Sequence, residues 1–398
     1  MMSEELSSLV TQAVQEGVAP AVQIQVFVGH ESSHSLYAGS LSANRPVNSE
    51  TVFDVASVTK VISTTACVYH LVSRDLLGFD DRVCEYLPGF ESNGKERTTV
   101  RELLGHRSGL PAWAPLFDLV VNDPLGRKLY PEFRTQSSPP AESYRRAREM
   151  VLSAVCQSPL LHPPGTRIYS DFGFIALGAM IEQITGESLH DFAAKTVFGP
   201  LGMQSSSFRP LSGSAPHAHI APTGSTRPRE PAPGQEHLYQ VHSQETKIRA
   251  GTVDDDNAYA LGGVAGHAGV FSTARDVAWF GIQMLEELRG ARRLGEPAIL
   301  LEMIQADQPT CLPGRGLGFD HPSGPKSSTG ERLRNSGPLP VFGHLGFTGC
   351  SIWVDPNRDI SVSILSNRVF PTRKNQSGIK AFRPSFHNAL IRTLTGDS

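Results

Sequence analysis

The chain has 398 residues, enough for one large domain or two ordinary ones, and 39% of them are hydrophobic, ample for a globular core. Lysine and arginine together number 36 against 39 acidic residues, and the net charge of −3 argues against nucleic acid or another polyanion as partner. No stretch approaches the roughly 20 apolar residues that span a bilayer. The first residues lack the basic and apolar regions of a secretory signal, and the five cysteines (67, 84, 156, 311, 350) form no C-x-x-C pair or metal spacing. A cytoplasmic chain with reduced thiols is expected.

Leu6, Leu9, Val10, Ala13 and Val14 mark an amphipathic helix ending at Gly17. Val22, Ile24, Val26 and Val28 alternate as in a strand; a turn over Gly29–Ser33 and a returning strand over His34–Ser40 follow. Thr51–Val55 is extended, and Val61 to Leu77 is a long segment free of helix breakers. From about 63 to 210 the pattern is helical with long connections, including a capping box at Thr99-x-x-Glu102 and a helix over Phe172–Thr185 that stops at Gly186. Residues 210–250, rich in Pro, Ser, His and Gly, read as a long surface loop. Beyond it come a helix over Val277–Leu288, a hairpin of Ser351–Asp355 and Ile360–Leu365 around Pro356-Asn357-Arg358, and a final helix over Phe386–Leu394. These elements predict an α/β (α+β) fold in a single catalytic domain, 1–398. An antiparallel sheet is built from both chain ends and flanked by helices (lobe 1–62 and 250–398), with an all-helical lobe inserted at 63–249.

Ser57-Val58-Thr59-Lys60 lies where the extended run gives way to the helical segment. A serine three residues before a lysine on one helix puts hydroxyl and amine on the same face, about 5–6 Å apart at Cβ. A serine hydroxyl is a poor nucleophile until a base takes its proton. Lysine can be that base only when its surroundings lower its pKa. The pattern recurs at Ser92/Lys95, Ser323/Lys326 and Ser377/Lys380. The first holds an Asn-Gly turn, the second a proline, and the third is soon followed by Pro384. Context therefore selects Ser57.

A lysine-assisted serine needs a second proton carrier. Among the eight tyrosines only Tyr169 opens a Tyr-x-Asp/Asn triplet, Tyr169-Ser170-Asp171, at a loop-to-helix junction. The structural alternative is a packed tyrosine with Asp171 as N-cap. His344-Leu345-Gly346, leading into Phe347 and the hairpin, is assigned to the site, on a sheet edge facing the serine. His267, in the glycine-rich Gly262–Gly269 loop, is a weaker candidate for the rim.

In this order Ser57-x-x-Lys60, Tyr169-Ser170-Asp171 and His344-Leu345-Gly346 resemble the serine β-lactamase / penicillin-binding-protein-like superfamily. The likeness is to its group of class C β-lactamases, D-alanyl-D-alanine carboxypeptidases and β-lactamase-like carboxylesterases. Residues 99–110, Pro164-Gly165-Thr166, 266–273 and Asn367-Arg368-Val369-Phe370-Pro371 extend the similarity over roughly residues 10–395. The resemblance implies Ser57 as the acylated nucleophile, Lys60 as its proton acceptor and Tyr169 as the relay to the leaving group and the deacylating water. It places an oxyanion hole at the backbone N–H groups of Ser57 and Phe347, and Asp171, His344, Gly346 and Phe347 at the substrate. Asp171 stands where asparagine is usual, which puts an amide contact there in doubt. Leu345 lacks the hydroxyl that helps bind a substrate carboxylate, so uncharged short esters or amides are expected to outperform penicillins and D-alanyl-D-alanine peptides.

Other chemistries are disfavoured. A G-x-S-x-G elbow is absent, His217-Ala218-His219 has no further ligands near it, and the Gly262–Gly269 loop lacks a Gly-Lys-Ser/Thr ending. No cofactor or metal is expected, and the partner is a small acyl substrate. The expectation is a serine hydrolase forming an acyl-enzyme, of carboxylesterase type, with a D-amino-acid peptidase or weak β-lactamase as alternatives. A binding module with a vestigial site is the non-enzyme alternative, although a binder has no need of Ser57, Lys60 and Tyr169 together.

Overall fold

A computed structural model describes the chain apart from residues 1–3, 31, 134–137, 212, 214–218, 225–248, 306–313, 325–326, 335–336, 374 and 397–398. Helix α1 (Glu4–Gln15) buries Leu6, Val10 and Ala13 and leads into strands β1 (Ala21–Val28), β2 (Ser32–Ser42) and β3 (Arg45–Pro46). After the short strand β4 (Phe53–Asp54) the chain passes through a 3₁₀ turn, Ala56–Val58, and a wider π-helical stretch, Lys60–Thr65, into α2 (Ala66–Val72). The helical half continues with α3 (Val100–Leu104), α4 (Leu116–Asn122), α5 (Ala141–Gln157), α6 (Asp171–Thr185) and α7 (Leu189–Ala193). Both halves of the expected capping box form: Glu102 N–H donates to Thr99 Oγ1 at 3.3 Å and Thr99 N–H to Glu102 Oε2 at 3.0 Å. The short strands β5 (Ser207–Phe208), β6 (Pro222–Gly224) and β7 (Arg249–Ala250) follow, then α8 (Asp256–Ala260) and β8 (Val270–Ser272). Helices α9 (Ala274–Leu288) and α10 (Pro297–Gln305), strands β9 (Phe342–Leu345), β10 (Ser351–Asp355) and β11 (Ile360–Ser366), and helix α11 (Ser377–Thr395) complete the order.

The main sheet has the order β3-β2-β1-β11-β10-β9 with antiparallel pairings, so the first and last strands of the chain meet at its centre, as expected. Its two faces differ in chemistry. Val22, Ile24 and Val26 of β1 and Val362 and Ile364 of β11 point to one side, where they pack with Leu6 and Val10 of α1 and Phe386 and Leu390 of α11. The other face carries small polar groups that bond to α9: Ser361 Oγ donates to Ala278 O at 2.7 Å and Ser363 Oγ to Ala274 O at 2.6 Å. The second, larger core lies between that side and the helical half.

Two local expectations are corrected. Helix α11 begins at Ser377 and runs through Pro384. The burial of Phe382, Phe386 and Leu390 outweighs the roughly 3 kcal/mol that an internal proline costs. Most of the loop expected at 210–250 lies outside the described residues, and the flanks that are described pair as β6 and β7. The four described cysteines are free thiols. Among the described residues no helix is long and apolar enough to cross a membrane.

Candidate active site

Ser57 sits in the 3₁₀ turn rather than on a regular α-helix. The turn hands over to the π-helical stretch that Lys60 opens, and Lys60 Nζ lies 3.0 Å from Ser57 Oγ. The turn is built by Ala56, whose φ of 48° is left-handed and strained for a residue with a Cβ. Asp54 Oδ1 holds it by accepting the Ala56 N–H at 2.8 Å.

Lys60 is fully buried, and its three N–H donors find three acceptors: Ser57 Oγ, Asp171 Oδ1 at 2.7 Å and the His267 carbonyl at 3.0 Å. Burial pulls the Lys60 pKa down, but the Asp171 carboxylate and the Tyr169 side chain pull it up and prevail, leaving it above its ordinary value. Lys60 at rest is therefore an ammonium ion.

The cap of α6 explains how Asp171 comes to face Lys60. Ser170, not Asp171, is the N-cap: its Oγ accepts the Gly173 N–H at 3.4 Å, which frees the Asp171 carboxylate for the ammonium. The Tyr169-Ser170-Asp171 segment is fixed from below by His106, whose Nδ1 accepts the Ser170 N–H at 3.0 Å and whose ring lies 4.6 Å from that of Tyr169. Burial, reinforced by Arg315 and Lys60, holds His106 well below its ordinary pKa, so it is a neutral acceptor. Tyr169 itself stays 39% exposed to the cleft, with Lys60 Nζ 4.9 Å from its ring centroid and the Arg315 guanidinium carbon 5.2 Å from it.

His344 enters from the edge strand β9, as expected, and its ring lies 5.8 Å from that of Tyr169. Its Nδ1 donates to Leu345 O at 2.7 Å, so Nε2 is the acceptor nitrogen, with Asp320 Oδ2 3.9 Å away. Burial and the charges of Arg315 and Lys60 keep it neutral. Gly346 is required for close approach: a Cβ there would stand 2.4 Å from the Val55 carbonyl, two residues before Ser57. Phe347 follows in the turn, and its backbone N–H donates to no group among the described residues. Tyr169, Asp171, Arg315, His344, Gly346 and Phe347 line one cleft of about 610 Å3 with Ser57 at its wall, and Lys60 lies buried behind it.

His267 is corrected from a rim position to one buried behind the cleft wall. It is 1% exposed, its carbonyl binds Lys60, and its Nε2 pairs with Asp255 Oδ1 at 2.9 Å. Asp171, Asp255 and His267 bring their ligand atoms within 4.8 Å of one another, the spacing of a metal site. The Lys60 ammonium already occupies Asp171 and the His267 imidazole already occupies Asp255, so this donor set is arranged around a lysine. His217, of the histidine pair seen in the sequence, lies outside the described residues. Sequence reading missed His106, Asp255, Arg315 and Asp320. His106 stood inside the quoted 99–110 stretch and could have been found there, whereas Arg315, ion-paired to Asp320, carries no local signal.

A sequence profile of the β-lactamase family matches residues 6–381. The chain belongs to the β-lactamase family. An N-acetylmuramyl-L-alanine amidase of Bacillus subtilis (strain 168) is 28% identical over 353 residues, 83% of this chain and 72% of that protein. An Escherichia coli (strain K12) protein with the provisional name D-alanyl-D-alanine carboxypeptidase is 28% identical over 345 residues, 83% of this chain and 73% of its own length. Among solved structures, EstCE1, a hydrolase with promiscuous acyltransferase activity, superposes with a TM-score of 0.67 at 23% identity and covers 98% of each chain. A penicillin-binding protein homologue from Caulobacter crescentus superposes with a TM-score of 0.68 at 16% identity and covers 99% of each. These likenesses establish the β-lactamase-family fold.

Proposed function

We propose that the chain is a serine hydrolase that cleaves a small ester or amide through an acyl-enzyme on Ser57, of the carboxylesterase kind. The observation that carries this reading is the 3.0 Å contact between Ser57 Oγ and a fully buried Lys60 in an open cleft. Ser57 attacks the acyl carbon and Lys60, once discharged, takes its proton; Tyr169 passes a proton to the leaving group. The N–H groups of Ser57 and Phe347 receive the developing oxyanion. The ion pair with Asp171 makes discharged Lys60 the minor form at neutral pH, so acylation is to quicken as pH rises. Asp171 thereby acts on Lys60 instead of on a substrate amide.

The names of the relatives favour a second reading, hydrolysis of an amide in a cell-wall peptide. A panel of p-nitrophenyl esters, D-amino-acid amides and nitrocefin separates the two. Covalent catalysis is tested by a fluorophosphonate, expected to add one label that peptide mapping places on Ser57 and that Ser57→Ala abolishes. Labelling of another serine, with Ser57→Ala fully active, sinks the proposal.

A further inference from the structure

Lys60 takes one of its acceptors from the main chain, and that carbonyl belongs to a loop tied to the serine segment along its length. Thr64 Oγ1 donates to Gly266 O at 2.7 Å, Lys60 Nζ to His267 O at 3.0 Å, and the Val270 N–H to Thr59 Oγ1 at 3.1 Å. Gly266 lies so close to α6 that a Cβ there would stand 2.0 Å from the Phe174 carbonyl. Between these anchors the His267 ring makes a single hydrogen bond among the described residues, from Nε2 to Asp255 Oδ1 at 2.9 Å. Its Nδ1 is buried without a partner. Asp255 is fixed in turn as the N-cap of α8, where Oδ1 accepts the Ala258 N–H at 2.7 Å.

Asp255 is the charged member of the pair. Burial pushes its carboxyl up, but His267, the Ala258 N–H and Arg373 pull it down and prevail, leaving it well below the ordinary carboxylate range. An ionised carboxylate only accepts, so His267 Nε2–H donates to it, and the bond is of the stronger, charge-assisted kind. His267 is 1% exposed, and a buried ring nitrogen left unpaired is costly. An apolar side chain would fill the same place without that cost, so the ring is there for the bond it makes.

The acylation step shows what the bond does. Ammonium Lys60 has three N–H groups for its three acceptors, whereas the discharged amine has two N–H groups and a lone pair. Asp171 Oδ1 and the His267 carbonyl take the two N–H groups, and the lone pair is left facing Ser57 Oγ. As Ser57 Oγ bonds to the acyl carbon, the carbonyl electron pair moves to the acyl oxygen and the Ser57 proton passes to that lone pair, restoring the ammonium. With the His267 carbonyl out of place, the amine is free to turn and the lone pair leaves Ser57.

We infer that Asp255 and His267 are a positioning pair for the base: Asp255 clamps the His267 ring and so holds the His267 carbonyl on Lys60, which makes the discharged amine present its lone pair to Ser57. The pair acts through Lys60. This inference rests on the reading of Ser57 as nucleophile and Lys60 as its base.

Fluorophosphonate labelling of Ser57 and hydrolysis of p-nitrophenyl acetate test it. In His267→Leu, which fills the space without the clamp, the limiting labelling rate and kcat should each fall about tenfold to a hundredfold. KM should change little, and the final extent of labelling should stay at one per chain. His267→Gln, which keeps an N–H donor for Asp255, should recover part of the loss. Asp255→Asn added to His267→Leu should cost little more, because the two act as a unit. Unchanged rates in His267→Leu overturn the inference, as does a labelling extent that falls in step with kcat, the mark of a merely structural part. No recovery in His267→Gln overturns it too. Recovery in the double variant would mean that the pair acts through the charge of Asp255, and overturns the positioning role. If His267→Leu does not fold, Asp255→Asn, which keeps the α8 cap but offers only a neutral acceptor, should slow labelling severalfold at the same final extent; an unchanged rate overturns the inference. A wild type that neither labels at Ser57 nor hydrolyses esters sinks the hydrolase reading and the inference with it. A labelled wild type with unaffected variants sinks the inference alone.

Discussion

At Lys60, burial and a carboxylate act in opposite directions, and the carboxylate wins. The sign has a consequence for pH. A lysine whose folded pKa is raised contributes stability that is fully present below its unfolded value, near 10.5, and lost as pH rises through the folded value. The Lys60 side of the pair therefore supports the fold throughout the neutral range and is lost as alkali discharges the lysine. Catalysis needs the opposite charge state. Asp171→Asn removes the main force holding the proton on Lys60, so the rising limb of kcat/KM against pH is expected to move to lower pH, with a lower melting temperature. An unmoved limb would mean that Lys60 is not the titrating base. Tyr169→Phe, Lys60→Ala and the double variant are expected to lose similar amounts of kcat, because residues acting as a unit are non-additive; strictly multiplicative losses would argue against a shared relay.

At the scale of elements, the fold depends on how closely α9 approaches the sheet. Gly281 of α9 faces β10 and β11, and a Cβ there would fall 2.1 Å from Ser361 Oγ and 2.7 Å from Val354 Cγ2. Gly281→Ala should therefore destabilise the protein by about 1–3 kcal/mol, the range for overpacking, although a glycine-to-alanine change within a helix is otherwise favourable. Urea unfolding gives the check. A gain in stability would mean that the helix shifts without cost. The capping box at Thr99 is a smaller lever: Thr99→Ala is expected to cost about 1 kcal/mol in the same measurement.

For the whole molecule, acid stability is set by buried neutral histidines. His321 and His387 are each pushed down to about 4 by burial, and His106 and His344 lie well below the ordinary value. Above about pH 6.5 these groups are neutral in both states and stability is intact. As pH falls from 6.5 toward 4 the unfolded chain takes up protons that the folded one refuses, and stability is lost. The melting temperature should fall steadily across that window. A flat profile there would contradict the neutral assignments, including that of His344 beside Tyr169.

Much of this was legible in the chain itself, because it depends on local pattern. The period-2 run Val22-Ile24-Val26, the Thr99-x-x-Glu102 cap and the Pro356-Asn357-Arg358 turn each encode their own element, and Ser57, Lys60 and Tyr169 were singled out by motif and context. The sequence also showed that strands at both ends enclose a helical middle. What it could not show were interactions between residues far apart in the chain whose partners carry no periodic signal. The pairing of Lys60 with Asp171 and the His267 carbonyl decides the charge of the base, and it spans more than a hundred residues. The Ser170 cap that turns Asp171 toward the lysine competes with a cap by Asp171 itself, and only packing selects between them. Arg368 stood in the Asn367–Pro371 stretch quoted for its likeness, and Arg383 carried no signal of its own. Where the two lie is set by how α11 packs against the β9–β10 turn, with Arg383 Nη2 donating to the Gly346 and Cys350 carbonyls, and tertiary structure alone decided it.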